Sequence, residues 1–311
     1  MSHDIILHHY PTSPFSEKIR AIFGYKQLAW QSVVIPTIMP KPDLTALTGG
    51  YRKTPVMQIG CDVYCDSKLM ARVLERLKPT PAILPKGSEA ASAMIEQWTE
   101  QTLFFLSVPV VFKPQGMAQF FGKLPAGAPE AFQKDRAGLF ANGNARRPSA
   151  AVSQNELPAM LAALEAQLGA SPFLLGNSPT LADFSVYHCV WFILNNPGIA
   201  SFYDPYPAIR AWAQRIAEYG HGTVSKISGE DALAVANKSQ PQAFVGTAIP
   251  DPSGVKIGDR AVVSASDYGT DPVTGTLVHS TLDSIALERT DERAGRVVVH
   301  FPRAGFKIVA A

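Results

Sequence analysis

A group of hydroxyl side chains lies just before the first predicted helix of the chain. The stretch "YPTSPFSEKIRAIF", residues 10–23, contains one Tyr, one Thr and two Ser around two prolines. Pro14 suits the first helical position, which makes Ser13 the N-cap. A hydroxyl there can cap its own helix, or it can act on a ligand beside the partial positive charge of the helix N-terminus. The residues alone leave open whether this stretch does chemistry or only turns a strand into a helix.

A second predicted helix starts with an acidic residue and a serine. Asp66 and Ser67 precede "KLMARVLE", whose apolar residues have helical spacing. The unpaired N–H groups of a helix N-terminus suit a carboxylate. The alternative is that one of the two residues is only an N-cap.

Both helix starts lie in a region where strand-like and helix-like patterns alternate. Its segments are "DIILHHY", "FSEKIRAIFGYK", "WQSVVIP", "TPVMQIG", "DVYCD" and "SKLMARVLERL". They predict strand, helix, strand, a loop or short helix, two strands around Gly60, and a helix. We therefore expect residues 1–80 to form a small α/β domain, a mixed sheet with helices on its faces.

The rest of the chain has two further kinds of sequence pattern, one helical and one β-rich. A Pro-rich linker precedes helical patterns, among them "EAASAMIEQWTEQTLFFL", "ELPAMLAALEAQLG" and "LADFSVYHCVWFIL", which predict an all-α domain over 86–230. From about residue 245, short β-rich runs are separated by Gly, Asp and Pro. These five runs predict a small closed β-barrel or sandwich over 245–311.

Composition excludes several classes of function. Basic residues are only slightly in excess and form no block, which argues against nucleic-acid or anionic-membrane binding. The most apolar runs are too short to span a bilayer, and "MSHDIILHHY" has no signal-peptide character. Cys61, Cys65 and Cys189 lack metal-like or CxxC spacing, and we expect idle or buried thiols in a reducing cytoplasm.

Taken together, four segments resemble the cytosolic glutathione S-transferase family. "YPTSPFSEKIRAIF" looks like the strand-to-helix entry of its Ser- and Cys-type classes, and "KTPV" like the turn that carries its cis-proline. "CDS" before "KLMARVLE" resembles its acidic-Ser pair, and "SPTLADFSVY" its Thr180–Asp183 capping box. The resemblance covers residues 1 to about 225. It implies a thioredoxin-like α/β domain followed by an all-helical domain, with the β-rich tail as an extra unit.

The resemblance also implies how glutathione would bind. A cis bond at Pro55 leaves backbone groups free to pair with an extended peptide, so the cysteinyl segment of glutathione would dock on Thr54. Ser67 would bind the γ-glutamyl carboxylate while Asp66 holds the ammonium. Lys53 could pair with the glycyl carboxylate, although a solvated lysine is the alternative.

The same resemblance suggests a role for the first hydroxyl group. Ser13 aligns with the Ser or Cys that contacts sulfur in the resembling classes, and Tyr10 is the runner-up. The positive end of the helix and a hydrogen bond donated by the hydroxyl would both lower the pKa of the glutathione thiol. Because Ser13 cannot form a mixed disulfide, the resemblance implies thiolate stabilisation and conjugation rather than thiol transfer.

These observations predict a cytoplasmic, homodimeric glutathione transferase that needs glutathione as co-substrate and no metal. It would add the thiolate to a small hydrophobic electrophile held between the first two domains. Two alternatives stay open: a non-catalytic glutathione-binding or scaffold protein, and a glutathione-dependent isomerase, dehalogenase or peroxidase. The β-rich tail shows no obvious site and is expected to be a structural cap or an interface.

Overall fold

The computed structural model describes residues 4–311, and its N-terminal part is the expected α/β unit. Four strands form a mixed sheet in the order β2-β1-β3-β4, with β1 parallel to β2 and antiparallel to β3. The elements are β1 Ile5–His9, α1 Pro14–Tyr25, β2 Ala29–Val34, α2 Pro42–Thr48, β3 Val56–Ile59, β4 Asp62–Cys65 and α3 Ser67–Leu77. The predicted α/β arrangement is confirmed, and the "loop or short helix" is α2.

The predicted helical unit follows. Its helices are α4 Glu89–Trp98, α5 Phe104–Val111, α6 Pro114–Phe121, α7 Ala128–Leu139, α8 Ala150–Ala170, α9 Leu181–Leu194 and α10 Pro207–Ala217. A π-helical turn, Thr99–Leu103, joins α4 to α5, and a 3₁₀ turn spans Ala200–Tyr203. Within residues 4–311, no helix combines the length and apolar character needed to cross a bilayer.

The capping box at the start of α9 is confirmed. The Asp183 carboxylate is buried and accepts hydrogen bonds from Thr180 N at 2.8 Å, Leu174 N at 2.8 Å and Trp212 Nε1 at 3.0 Å. These donors come from the helix start, the loop before it and α10. One side chain therefore ties three parts of the helical unit together.

The five predicted C-terminal strands form, but their arrangement differs from the predicted closed barrel. They are β6 Arg260–Ala265, β7 Val273–Ser280, β8 Ser284–Asp291, β9 Gly295–Pro302 and β10 Phe306–Ala310. Their order is β10-β6-β7-β8-β9, and β9 then pairs in parallel with β4 through the register Val63↔Val299. In the described part of the chain no pairing joins β10 to β9, because the free edge of β9 binds the N-terminal sheet instead.

The segment between the helical unit and the β-rich tail also joins the sheet. β5 Thr223–Lys226 runs parallel to β2, and α11 Gly229–Lys238 packs against α2 and β9. The sequence analysis did not predict β5. All ten strands thus form one continuous sheet.

Alternate residues of β1 point into two different cores. Ile5 and Leu7 pack with α1, α3 and the helical unit, whereas Ile6 belongs to the core that contains the inner faces of β6–β10. This follows from the two-residue repeat of a strand. The N-terminal sheet is therefore covered on one face by α1, α3 and the helical unit, and on the other by α2, α11 and the β-rich unit.

Candidate functional site

Ser13 is the N-cap of α1, as predicted. Its backbone is extended, Pro14 occupies the first helical position, and Ser13 Oγ accepts a hydrogen bond from Ser16 N at 3.2 Å. The side chain is 2 % exposed and lines a cavity. Because the oxygen acts as the acceptor in the cap, the hydroxyl proton stays available to donate to a ligand.

Tyr10 faces the same cavity. Its hydroxyl accepts a long hydrogen bond from Arg136 Nη2 at 3.4 Å. Burial raises the pKa of Tyr10, and the Arg136 charge and the Ser13 hydroxyl only partly offset that effect. Tyr10 is therefore a neutral phenol near pH 7 that could also donate to an anion.

The bend before β3 places Lys53 and Thr54 at the junction of two cavities. The Thr54–Pro55 bond is cis. Lys53 is already paired, since its Nζ lies 2.6 Å from Asp267 Oδ1 and 4.0 Å from the ring centroid of Tyr268. The alternative of a solvated surface lysine does not fit this contact.

Asp66 and Ser67 lie at the start of α3. Asp66 is the N-cap, in the left-handed region at φ 73°, and its carboxylate accepts from Lys68 N at 2.9 Å. Burial raises its pKa, and the nearby Glu100 carboxylate adds to the effect. Ser67 is the first helical residue, and its Oγ lies 3.5 Å from Glu100 Oε1.

Glu100 belongs to this site, although the sequence analysis did not identify it. Its carboxylate contacts Lys18 Nζ at 2.8 Å and Lys68 Nζ at 3.3 Å. Burial favours the neutral acid, but the two ammonium groups hold its pKa below the usual range. Glu100 projects from the π-helical turn, which sequence periodicity does not reveal because the segment is one helical run from Glu89 onward.

Lys41 is a second residue that sequence analysis missed. It precedes α2, is 4 % exposed, and its Nζ donates to Thr54 Oγ1 at 2.9 Å and to Arg52 O at 3.4 Å. In residues 4–311 no carboxylate lies within 4.0 Å of this ammonium. Burial, together with the Arg136 charge, lowers its pKa to about 8. Nothing in its neighbourhood in the sequence marks it, because its contacts come from residues of another loop.

Two adjoining cavities connect these residues. The first, the polar cavity, has a volume of about 480 Å³ and contains Asp66, Ser67 and Glu100 in its wall. The second, the aromatic cavity, has a volume of about 630 Å³ and contains Ser13, Tyr10 and Lys41. Residues that line both are Phe15, Lys53, Thr54, Phe105 and Tyr268.

Phenylalanines from the helical unit form most of the aromatic cavity. They are Phe104, Phe105, Phe112, Phe120, Phe121, Phe132, Phe140 and Phe192, and they contact one another at centroid distances from 4.8 to 6.3 Å. Trp98 and Trp191, also on helices of this unit, line neither cavity. An apolar pocket with a few convergent polar groups is the usual form of a small-molecule site.

The β-rich unit reaches this site through the loop between β6 and β7. Tyr268 stacks on Phe140 at 4.7 Å and meets Phe105 edge-on at 5.9 Å. The loop is held by backbone hydrogen bonds from Ala145 N to Asp267 O at 2.9 Å and from Gly269 N to Leu139 O at 2.8 Å. The unit expected to be a cap or an interface therefore contributes residues to the walls of the site: Tyr268 lines both cavities, and Ser266, Asp267, Ala304 and Gly305 line the polar one.

The structure describes no metal-like cluster and no paired cysteines. Residues 4–311 contain no group of three or more His, Cys, Asp or Glu side chains that could hold an ion. The three thiols are buried and unpaired, and burial raises the pKa of each.

Comparisons with known proteins identify the family. The model for the glutathione S-transferase N-terminal domain matches residues 7–82, and that for the C-terminal domain matches residues 131–215. No curated protein sequence matches the chain. Among solved structures, a GST-like protein from Pseudomonas syringae is 40 % identical over 100 % of both chains, with a TM-score of 0.82.

Two more distant structures share the fold alone. A glutathione S-transferase from Rhodospirillum rubrum F11 is 16 % identical over 68 % of this chain and 87 % of its own, with a TM-score of 0.52. One from Sinorhizobium meliloti 1021 is 16 % identical over 69 % of this chain and 88 % of its own, with a TM-score of 0.51. On the two domain matches and the full-length relative, the chain belongs to the glutathione S-transferase family.

Proposed function

We propose that the protein is a glutathione transferase of the Ser type, with Ser13 as its catalytic residue. The observation that carries the proposal is the meeting of a polar and an aromatic cavity at Thr54. Such a pair accommodates a polar tripeptide and an apolar electrophile side by side, with the thiol at their junction. Family membership supports glutathione as the co-substrate.

The polar cavity would take the γ-glutamyl end of glutathione. Ser67 and the first N–H groups of α3 would bind its carboxylate. Asp66 and Glu100, two carboxylates in one wall, would hold its ammonium. Thr54, before Pro55, would pair with the cysteinyl backbone.

The glycyl carboxylate would go to Lys41 rather than to Lys53. Lys53 is neutralised by Asp267, whereas the buried Lys41 ammonium has no carboxylate partner in residues 4–311 and lies 2.9 Å from Thr54 Oγ1. An unpaired positive charge is unfavourable at this buried position. An anionic ligand would neutralise it.

Ser13 would act on the sulfur. Its hydroxyl donates to the thiolate while its oxygen keeps the cap with Ser16 N, and the positive end of α1 adds to the effect. With an aryl halide, the sulfur–carbon bond forms, the halide leaves with the bonding electrons, and the thiol proton goes to solvent. Tyr10, a neutral phenol in the same cavity, is the alternative donor.

Glutathione binding and conjugation test the proposal together. Binding is measured by calorimetry, turnover with a panel of aryl halides, and the pKa of the bound thiol from thiolate absorbance. Ser13→Gly removes the hydroxyl but costs the cap only a few tenths of a kcal/mol. We expect kcat/KM to fall about 10- to 100-fold and the thiol pKa to rise, the usual size for a hydrogen bond to a charged group.

Two comparisons make the result decisive. Ser16→Ala removes a neighbouring buried hydroxyl that has no hydrogen-bond partner in residues 4–311 and lines neither cavity, so it should retain activity. Full activity in Ser13→Gly with a loss in Tyr10→Phe would transfer the role to Tyr10. Tight glutathione binding without turnover of any electrophile would favour the non-catalytic alternative. We also propose that the protein is cytoplasmic and homodimeric, as is typical of the family.

A further inference from the structure

The aromatic cavity contains an unusual set of charges. Its walls hold Lys41, Arg52, Lys53, Arg136 and Arg147, and among the residues of 4–311 that line it there is no Asp or Glu. A pocket for purely hydrophobic compounds does not need five cations, because the buried ones, such as Lys41, cost desolvation energy beside apolar side chains.

Only part of this charge is neutralised by neighbouring carboxylates. Asp135 is shared by Arg52 at 2.8 Å and Arg136 at 2.7 Å, and Asp267 pairs with Lys53 at 2.6 Å. Two carboxylates thus serve five cations. The thiolate and the glycyl carboxylate of glutathione would offset two of the remaining three charges, so one positive charge is left for the second substrate.

Arg147 is the side chain best placed to carry that charge. Its guanidinium lies 5.0 Å from the ring centroid of Phe140, and no hydrogen-bond or carboxylate partner for it occurs in residues 4–311. Phe140 itself stacks on Tyr268 at 4.7 Å. A planar guanidinium offers two parallel donors to a carboxylate or similar oxyanion.

Arg136 provides a second, half-buried cation in the cavity wall. Its guanidinium lies 4.4 Å from the ring centroid of Phe132, and Asp135 shares its charge with Arg52. Aromatic rings and arginines thus alternate along the wall formed by α7 and the loop after it.

We propose that the electrophile is an aromatic organic anion. Its ring would pack against the wall formed by Phe140 and Tyr268, and its carboxylate or comparable oxyanion would bind Arg147, with Arg136 in support. The inference rests on the proposed function, whose second substrate it specifies. It also gives the β-rich unit a part in substrate selection, through Tyr268.

The test compares two electrophiles that differ in one group. A chlorodinitrobenzoate and its matched carboxamide are assayed with glutathione, and each kcat/KM is divided by the rate constant of the uncatalysed reaction. We expect the wild type to prefer the anion roughly tenfold after this correction, the size of one charge-assisted hydrogen bond at a partly exposed site. The preference should shrink at high ionic strength, because salt screens the exposed part of the interaction.

Variants identify the residues responsible. Arg147→Gln should remove most of the preference for the anion. Tyr268→Ala should raise KM for both electrophiles more than Tyr268→Phe does, because only the aromatic ring is needed. Arg210→Gln removes an exposed arginine of α10 that pairs with Asp204 far from both cavities, and it should keep the preference. Equal corrected rates for the two electrophiles, or a preference retained in Arg147→Gln combined with Arg136→Gln, would overturn the inference.

A binding measurement separates this inference from the proposed function. Calorimetry of the chlorodinitrobenzoate and the carboxamide, without glutathione, reports the pocket alone. Arg147-dependent binding of the anion with no conjugation would contradict the transferase and leave the anion site standing. Conjugation of both compounds without a preference would do the reverse.

Discussion

At the scale of a single residue, the binding role proposed for Lys41 would come with a cost in stability. Its ammonium is buried near Arg52, Arg136 and the Tyr10 ring, whose centroid is 5.8 Å away, and the Asp135 carboxylate opposes these positive charges. Burial lowers its pKa from 10.5 to about 8. The protonated form is therefore less stable in the folded protein than in the unfolded chain, and the molecule keeps it at a cost.

Lys41→Met should stabilise the protein and weaken glutathione binding. At pH 7 we expect the free energy of unfolding to rise by about 3 kcal/mol, the equivalent of the lowered pKa. Lys41 loses its proton near pH 8 in the folded state and near pH 10.5 in the unfolded state. The free energy of unfolding of the wild type should therefore rise relative to that of the variant as the pH increases from 8 to 10.5. Urea unfolding between pH 7 and pH 10.5 measures the gap.

The exposed Lys123 supplies the control for that prediction. Lys123→Met should change the free energy of unfolding by less than about 0.5 kcal/mol. If Lys41→Met destabilises the protein at pH 7 and still binds glutathione as tightly as the wild type, Lys41 is an ordinary structural lysine.

At the scale of elements, two loops meet beside the two cavities. The turn after α7 and the β6–β7 loop touch at Gly143, where an added Cβ would lie 2.0 Å from Asp267 O. Gly143 also has φ 96°, in the region that favours glycine. The close approach places Asp267 and Tyr268 against Lys53, so the position of one loop depends on the other.

Gly143→Ala should damage the site without touching a ligand. The new methyl group must displace the β6–β7 loop, and we expect weaker glutathione binding and a kcat/KM lowered about tenfold or more, since a shift of about 1 Å in a positioned group has large kinetic effects. Gly127→Ala is the matched control, because Gly127 has φ 87° but nothing within 4 Å. Both variants carry the strain of a positive φ, so unfolding by urea should show similar losses of about 1–2 kcal/mol from that cause.

Equal kinetic constants for the Gly143 and Gly127 variants would show that the contact between the loops does not position the site. A larger loss in Gly127→Ala would point to α7 itself, which begins at Ala128, as the sensitive element.

At the scale of the whole molecule, the continuous sheet joins the β-rich unit to the strand that leads into the candidate site. β4 leads directly into Asp66 and Ser67. One edge of β4 pairs with β3, and the other pairs with β9. Across this seam Asp62 accepts from His300 Nε2 at 2.7 Å and from Gln242 N at 2.8 Å. The two units should therefore unfold together, although the chain between them includes the entire helical unit.

Tryptophan fluorescence can test this coupling. The four tryptophans, Trp30, Trp98, Trp191 and Trp212, all lie outside the β-rich unit. Val299→Ala removes methyl groups from the wholly buried face of β9 and should cost about 1–3 kcal/mol. Cooperative unfolding predicts that the fluorescence midpoint in urea falls with it.

Val309→Ala provides the reference, because Val309 lies in the same unit on β10 but is 51 % exposed. Its fluorescence midpoint should stay close to that of the wild type. An unchanged midpoint in Val299→Ala, with loss of β signal at lower urea, would mean that the β-rich unit unfolds independently.

Much of the fold could be predicted from local pattern. The alternation of "DIILHHY" with helical repeats led to β1 and α1, Pro14 and Ser13 marked the helix start, and Thr180 and Asp183 marked α9. These features depend on residues close in sequence, whose spacing and capping chemistry act within a turn or two of chain. The domain limits 1–80, 86–230 and 245–311, and the roles of Tyr10, Ser13, Lys53, Thr54, Pro55, Asp66 and Ser67, stay predictions.

What the sequence by itself determined, then, is most of the local elements and the family to which they belong. Only the tertiary structure decided that β9 joins β4 instead of closing a barrel, that Asp267 neutralises Lys53, and that Lys41, Glu100 and Tyr268 line the site. Each of these contacts joins residues that are far apart in the chain. For example, Nζ of Lys53 and Oδ1 of Asp267 lie only 2.6 Å apart in space. The pairing of strand edges and of charges depends on which surfaces meet in the folded protein. The hydrophobic periodicity of one segment does not reveal which other segment will pack against it.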